Sequence, residues 1–269
     1  MITSTNNSQV KNIIQLQKKA LKRRTLGLFV VEGIRAVAEV PLELLEAVYY
    51  VAEAMQEGQG AALLSRLKSE ATGAAIEEVT PQVLAAMGDT VTPQGILALV
   101  RMPQFDFKQL LGDDRRPAHI IILESLQDPG NLGTIVRTAE GAGATGIIMN
   151  RGTVDIYSPK VVRSTMGSIF RVPHFITEDL PGTILRLKED QGVAVYAAHL
   201  RGERSHDGFD YTGPTAFMIG NEGNGLTEET ASLASQYLRI PMEGRLESLN
   251  ASVAAAVLMY EANRQRRTT

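Results

Sequence analysis

Three loops of this chain carry the side chains most suited to chemistry, each where an apolar, strand-like run gives way to a helix. The first is Asp128-Pro-Gly-Asn-Leu-Gly-Thr-Ile-Val-Arg137, after the apolar residues 118–123 and Glu124. Pro129 and Gly130 turn the chain there, Asn131 stands near the next helix's start, and Arg137 follows about two turns later. The second is Ile219-Gly-Asn-Glu-Gly-Asn-Gly-Leu226, where Gly220, Gly223 and Gly225 let backbone groups approach a ligand closely. Thr227-Glu-Glu-Thr230 then opens a helix with acidic residues in its first turn. The third, Ile240-Pro-Met-Glu-Gly-Arg-Leu-Glu-Ser-Leu-Asn250, enters a helix at Ser248 or Asn250. Amides and hydroxyls both donate and accept hydrogen bonds, and a guanidinium grips anions bidentately. Taken alone, the glycine loop suits either an ordinary tight turn or a phosphate- or dinucleotide-binding one.

The elements around these loops decide whether they meet. From residue 118 onward strand-like and helix-like segments alternate: strands over 118–123, 146–149, 193–198, 215–219 and 237–240, and helices over 159–168, 179–190, 227–235 and 249–266. Such alternation predicts a doubly wound α/β domain with a mostly parallel sheet, whose strand carboxyl ends bear ligand-binding loops. All three loops leave such ends and can converge. Ahead of this region, residues 103–117 are polar, charged and flanked by proline, which suits a linker. Residues 1–102 read as a smaller α/β/α domain. Its strands are a short one between Gly27 and Gly33 and others over 47–51, 74–79 and 95–100. Its helices lie over 34–45 with a break at Pro41, over 61–70, and over 81–87 with Pro81 in the first turn. Residues 1–8 are polar and expected to fray.

A basic amphipathic helix is predicted over 10–24. Lys11, Lys18, Lys19, Lys22, Arg23 and Arg24 are joined there by no carboxylate, although the 269-residue chain has a net charge of −3. That one-signed charge reads as a solvated face or as a contact to a phosphate backbone. The chain has no cysteine, which excludes disulfides and thiolate metal sites, and its four histidines argue against a zinc centre. No run of transmembrane length and no apolar leader is evident, so a cytoplasmic protein without membrane or metal partners is expected.

The three loops together resemble the signature motifs of the SpoU-type (TrmH-like) 2′-O-ribose RNA methyltransferases of the SPOUT superfamily, in the same order. Phe29-Val-Val-Glu-Gly33 and Thr92-Pro-Gln-Gly-Ile-Leu-Ala98 are similar to the L30e-like substrate-binding domain that precedes many of them. The resemblance implies a deep trefoil knot within residues 118–269, an obligate homodimer, and S-adenosylmethionine as methyl donor. By motif matching, Gly220, Ile240 and Leu249, with Ile219 and Asn221, would bind the donor. Asn131, Arg137, Glu222, Ser248 and Asn250 would surround the reaction centre. Lys18, Lys22, Arg23 and Arg24, with Lys160 and Arg163 of the segment 158–168, would contact RNA. A carboxylate in the glycine loop and no lysine after it suit a cationic donor better than a polyphosphate.

Methyl transfer to a ribose hydroxyl needs in-line positioning and partial removal of the hydroxyl proton. A guanidinium stays protonated near neutral pH, so Arg137 is read as the grip on a substrate phosphate and the stabiliser of the forming alkoxide. Glu222 would fix Arg137 or orient the hydroxyl. Asn131 and Ser248 also suit simple helix caps. The RNA implied is ribosomal, with transfer RNA as the alternative. Two rivals are a non-catalytic RNA-binding protein of the same fold and a dinucleotide-dependent oxidoreductase. The latter lacks a Gly-x-Gly-x-x-Gly after an early strand.

Overall fold

A parallel sheet built on two fully buried strands sets the frame for the three loops. The computed structural model describes residues 1–199 and 201–267. In chain order the first elements are α1 (Ser8–Lys18), α2 (Ala20–Leu26), β1 (Leu28–Glu32), α3 (Ile34–Ala38), β2 (Leu45–Tyr50), α4 (Gly58–Glu70), β3 (Ala75–Glu78), α5 (Pro81–Met87) and β4 (Ile96–Arg101). Then come β5 (His119–Leu123), α6 (Pro129–Gly141), β6 (Gly146–Asn150), α7 (Pro159–Thr165), β7 (His174–Thr177), α8 (Leu180–Glu189) and β8 (Ala194–Ala198). The last are β9 (Arg204–Ser205), β10 (Thr215–Ile219), α9 (Glu228–Ser232), β11 (Gln236–Arg239) and α10 (Ala251–Arg267).

The chain divides into two compact units, Met1–Gln104 with Asp155–Phe170, and Phe105–Val154 with Arg171–Thr269. The first unit holds a mixed four-stranded sheet in the order β1-β4-β2-β3. Its core takes Val10, Ile13 and Leu16 from α1, with Val30, Ala47, Tyr49, Val83, Met87 and Leu97. That apolar stripe explains why the cations of α1 point outward. Asn7 caps α1 by accepting from the N–H of Gln9 at 2.8 Å. The amino-terminal residues do not fray as expected: the N–H of Ile2 donates to Glu78 at 2.8 Å. The predicted helix over 34–45 is only α3 and a 3-10 turn at Leu42–Leu44, because Pro41 breaks it and Leu45 already starts β2.

The second unit holds a seven-stranded, all-parallel sheet in the order β7-β6-β5-β10-β8-β11-β9. Every residue of β5 and β10 is buried, which is what continuous runs such as His119-Ile-Ile-Ile-Leu123 demand of a central strand covered on both faces. Two short strands, β7 and β9, escaped the sequence reading, being edge pieces with little apolar periodicity. Residues 105–111 also differ from expectation. Instead of a linker, they place Phe107 and Leu110 in the second unit's core with Ile120, Ile122 and Ile148. Asp106 and Gln109 cap that turn reciprocally, the N–H of Asp106 donating to Oε1 of Gln109 at 2.6 Å. Residues 155–170, expected with the second region, belong to the first unit, where Tyr157 lies 4.9 Å from the Phe29 ring.

Candidate active site

β5 and β10 are neighbours, paired so that Leu123 stands opposite Ile219, and the loops that leave them emerge side by side. They are laced along their length. The N–H of Glu124 donates to the Ile219 carbonyl at 3.0 Å. Nδ2 of Asn221 donates to the Ser125 carbonyl at 2.9 Å. The Glu222 carboxylate accepts from the N–H of Gln127 at 3.0 Å, the N–H of Asp128 at 2.9 Å and Nδ2 of Asn131 at 3.0 Å. Burial alone pushes the Glu222 carboxyl up. The hydrogen bonds from Asn131, Gln127 and Asp128 outweigh it and hold the group below the usual carboxylate range, so it stays ionised near neutral pH.

The glycine loop is also bonded to itself. The N–H of Asn221 donates to Gly225 at 3.0 Å, the N–H of Gly225 returns to Asn221 at 2.9 Å, and Oδ1 of Asn221 accepts from the N–H groups of Gly223 and Asn224 at 2.9 and 3.0 Å. A Cβ on Gly220 would lie 2.1 Å from the carbonyl carbon of Gly225. The absence of a side chain at Gly220 is therefore required by the chain crossing itself, whatever else binds there. Gly225, with φ of 69°, has open space where a Cβ would stand.

The third loop leaves β11, two strands from β10, and must run back across the sheet to reach the others. Its last residue does so: Nδ2 of Asn250 donates to Oδ1 of Asn131 at 3.0 Å. Oδ1 of Asn250 accepts from the N–H of Ser252 at 2.9 Å and caps α10. Asn250, Asn131 and Glu222 thus form one hydrogen-bonded chain through all three loops. A carboxylate only accepts, so Asn131 must turn its amino group to Glu222 and its carbonyl to Asn250.

Other predicted residues stand apart from this chain. Arg137 is exposed and has no ion pair among the described residues. Six residues beyond Asn131, it lies about 120° around α6. Glu222 does not hold it, contrary to one expectation. Asp128 caps α6, not Asn131, and Ser248 is exposed rather than a cap. Ile240 and Leu249 are half-buried at the two ends of the third loop. Glu140, beyond Arg137 on α6, pairs with Arg171 at 2.5 Å.

Among the cations expected at RNA, Lys18 and Arg24 are exposed and Lys22 is half-buried. Arg23 is a correction. It is 4% exposed, its guanidinium donates to the carbonyls of Leu16 and Gln17, and it pairs with Asp155 at 2.7 Å. With its donors taken up inside the first unit, it is a strut between α1 and α2. Arg163 pairs with Asp89 at 2.9 Å, and Lys160 is exposed. Near the chain's end Arg266 is no free cation either. It donates to the carbonyls of Tyr211, Pro117, Ala118 and Gly213 at 2.7–2.9 Å.

Sequence reasoning passed over Glu124, Ser125, Gln127 and the loop after β8. Ser125 takes a φ of 55°, and its N–H donates to Asn150 at 2.8 Å. Between the β10 and β11 loops, Arg201 pairs with Glu228 at 2.6 Å and His199 stacks on Tyr237 at 5.2 Å. Isolated polar residues in loops give no periodic signal that could mark these.

The residues at the glycine loop fit the expected methyl donor. The loop brings a carboxylate, exposed residues from Glu222 to Gly225 and open space beside Gly225, and no cation within it that would repel a sulfonium. Among the described residues no three His, Asp or Glu side chains converge as metal ligands, and no helix is long and apolar enough to cross a membrane.

Residues 118–260 match the SpoU rRNA Methylase family, and residues 7–98 match the MRM3-like substrate binding domain. The 23S rRNA (guanosine(2553)-2'-O)-methyltransferase of Bacillus subtilis (strain 168) is 32% identical over 96% of this chain and 97% of its own. The 23S rRNA (uridine(2479)-2'-O)-methyltransferase of Streptomyces viridochromogenes is 33% identical over 91% of this chain and 85% of its own. Among solved structures, the SpoU methyltransferase AviRb from Streptomyces viridochromogenes in complex with AdoMet superposes with a TM-score of 0.87 at 28% identity, covering 98% of this chain and 99% of that one. With its three motif loops joined through Asn131 and its amino-terminal region matched as well, the chain belongs to the SpoU rRNA methylase family.

Proposed function

We propose that this protein transfers a methyl group from S-adenosylmethionine to a ribose 2′-hydroxyl of structured ribosomal RNA, in the cytoplasm and as a homodimer. The hydrogen-bonded chain from Asn250 through Asn131 to Glu222 carries the reading, because it draws three separate motif loops into one preorganised site. When bound, the donor supplies an electrophilic methyl on a sulfonium. The chain's own residues do the rest. Ionised Glu222 fixes Asn131 and the start of α6, and the peptide groups of residues 219–225, with Ile240 and Leu249, hold the donor. Arg137, exposed and without an ion pair among the described residues, grips a substrate phosphate and stabilises the developing alkoxide. Ser248 reaches the ribose from its exposed loop.

RNA is held in the first unit by Lys18, Lys22 and Arg24, with Lys160 and Arg163 of the same unit, through phosphate and shape rather than sequence. The homodimer reading is supported by α10. Val253 and Tyr260 are 47% and 49% exposed on one face, with half-buried Ala256 and Val257 between them. Val253→Asp should turn a dimer into a monomer by sedimentation and abolish transfer. The return of residues 240–250 from β11 to Asn131 is the passage a trefoil knot would thread.

Tritium transfer from labelled donor to ribosomal and transfer RNA tests the function. Label in a ribosomal ribose is expected. Label in transfer RNA alone would move the substrate, and label in neither, with no donor binding, would overturn the proposal.

A further inference from the structure

Glu124 sits at the end of β5 and is 7% exposed, yet its carboxylate forms no ion pair among the described residues. Among the described residues, its three hydrogen-bond donors all come from the segment just past the glycine loop. Oε2 accepts from the N–H of Thr227 at 2.8 Å, and Oε1 accepts from Oγ1 of Thr227 at 2.8 Å and Oγ1 of Thr230 at 2.6 Å. Its own backbone N–H holds the carbonyl of Ile219, the residue just before that loop, at 3.0 Å. One residue therefore clasps both ends of residues 220–226. Thr227 is also the N-cap of α9, accepting from the N–H of Thr230 at 3.2 Å, so the same carboxylate sets where that helix begins.

We propose that Glu124 is a positioning residue for the methyl donor, fixing both ends of the glycine loop so that its peptide groups are held in the binding geometry before the donor arrives. This rests on the reading of residues 219–225 as the donor site. A loop with one end released pays an ordering cost on binding, and that cost appears in donor affinity. RNA affinity, set in the first unit, is untouched.

Calorimetry with S-adenosylmethionine on the full chain tests it, alongside transfer kinetics. Glu124→Ala should weaken donor binding about 10- to 100-fold, as expected for buried donors left without an acceptor. Its kcat at saturating donor and its RNA affinity should stay within about threefold of wild type. Glu124→Gln keeps one acceptor and should recover most of the affinity. Thr230→Val, of nearly the same shape, removes the bond to Glu124 together with the one that Oγ1 accepts from Thr227, and should cost about three- to tenfold, and it decides the matter if Glu124→Ala does not fold. A folded Glu124→Ala, or a Thr230→Val, with wild-type donor affinity overturns the proposal, as does a loss confined to kcat. Wild-type protein that binds no donor would instead overturn the donor site itself.

Discussion

The first unit's helical corner and the second unit's loop cluster each present arginine, to opposite ends. At the corner, Arg23 is buried, neutralised by Asp155 and hydrogen-bonded to two carbonyls that close α1. On α6, which leaves the cluster, Arg137 is exposed with no ionic partner among the described residues, apart from the amides and carboxylate that are bonded to one another. A guanidinium taken from water must be fully paired, and one so paired has no donors left for a ligand. The pairing separates a residue that shapes the protein from one that can meet its substrate.

Removing each arginine tests that contrast most directly. Arg23→Ala leaves Asp155 buried and unpaired and should cost about 3–5 kcal/mol in urea unfolding, while the folded fraction keeps its turnover number. Arg137→Ala should leave stability within about 0.5 kcal/mol and lower methyl transfer about 100- to 1,000-fold, the range seen when one preorganised stabilising donor is lost. A large stability loss at Arg137, or a kcat loss without one at Arg23, would break the comparison.

Acid should separate the units next. All four histidines lie in the second unit. Burial, with the nearby Arg266 and Arg116, lowers the His119 imidazole from 6.5 to about 3, and burial lowers His174 to about 4. Both are neutral when folded, so below pH 6.5 the unfolded chain binds more protons. The stability they hold above that pH is lost as pH falls toward the folded values. At pH 5 the loss should be about 2 kcal/mol per histidine. Hydrogen exchange at pH 7 and 5 should show the second unit opening first, and His119→Gln should flatten the pH dependence of its unfolding. The smallest effect is expected at the corner's surface. Lys18→Ala and Arg24→Ala should change stability by less than about 0.5 kcal/mol and each reduce the salt slope of RNA binding by about 1.

Much of this architecture was legible because apolar runs and loop motifs are local signals. The run 118–123 read as a buried parallel strand and 215–219 as a strand from their apolar character, and they are the adjacent centre of the sheet. Asn131, Glu222 and Asn250 were marked as polar groups at strand ends, and the structure bonds them to one another. Failures came where a residue's role depends on distant neighbours. Phe107 and Leu110 looked like part of a linker because a short, proline-flanked stretch with many charges gives its few apolar residues no sustained period. Arg23 looked like one more surface cation because nothing in its helix announces Asp155, 132 residues away. The absence of a side chain at Gly220 was assigned to a ligand, whereas the fold already requires it where the loop crosses itself.

By itself, the amino-acid sequence determined the class of fold, the three loops and the types of side chain at the site, because these follow from hydrophobic period, turn residues and spacing along one strand-to-helix passage. Only the tertiary structure decided which groups are spent and which are free. It paired Arg23 and left Arg137 open, made Glu124 the clasp of the glycine loop, and seated Asn250 on Asn131. Burial and hydrogen-bond partners are properties of surfaces brought together from far apart in the chain, and no local pattern encodes them.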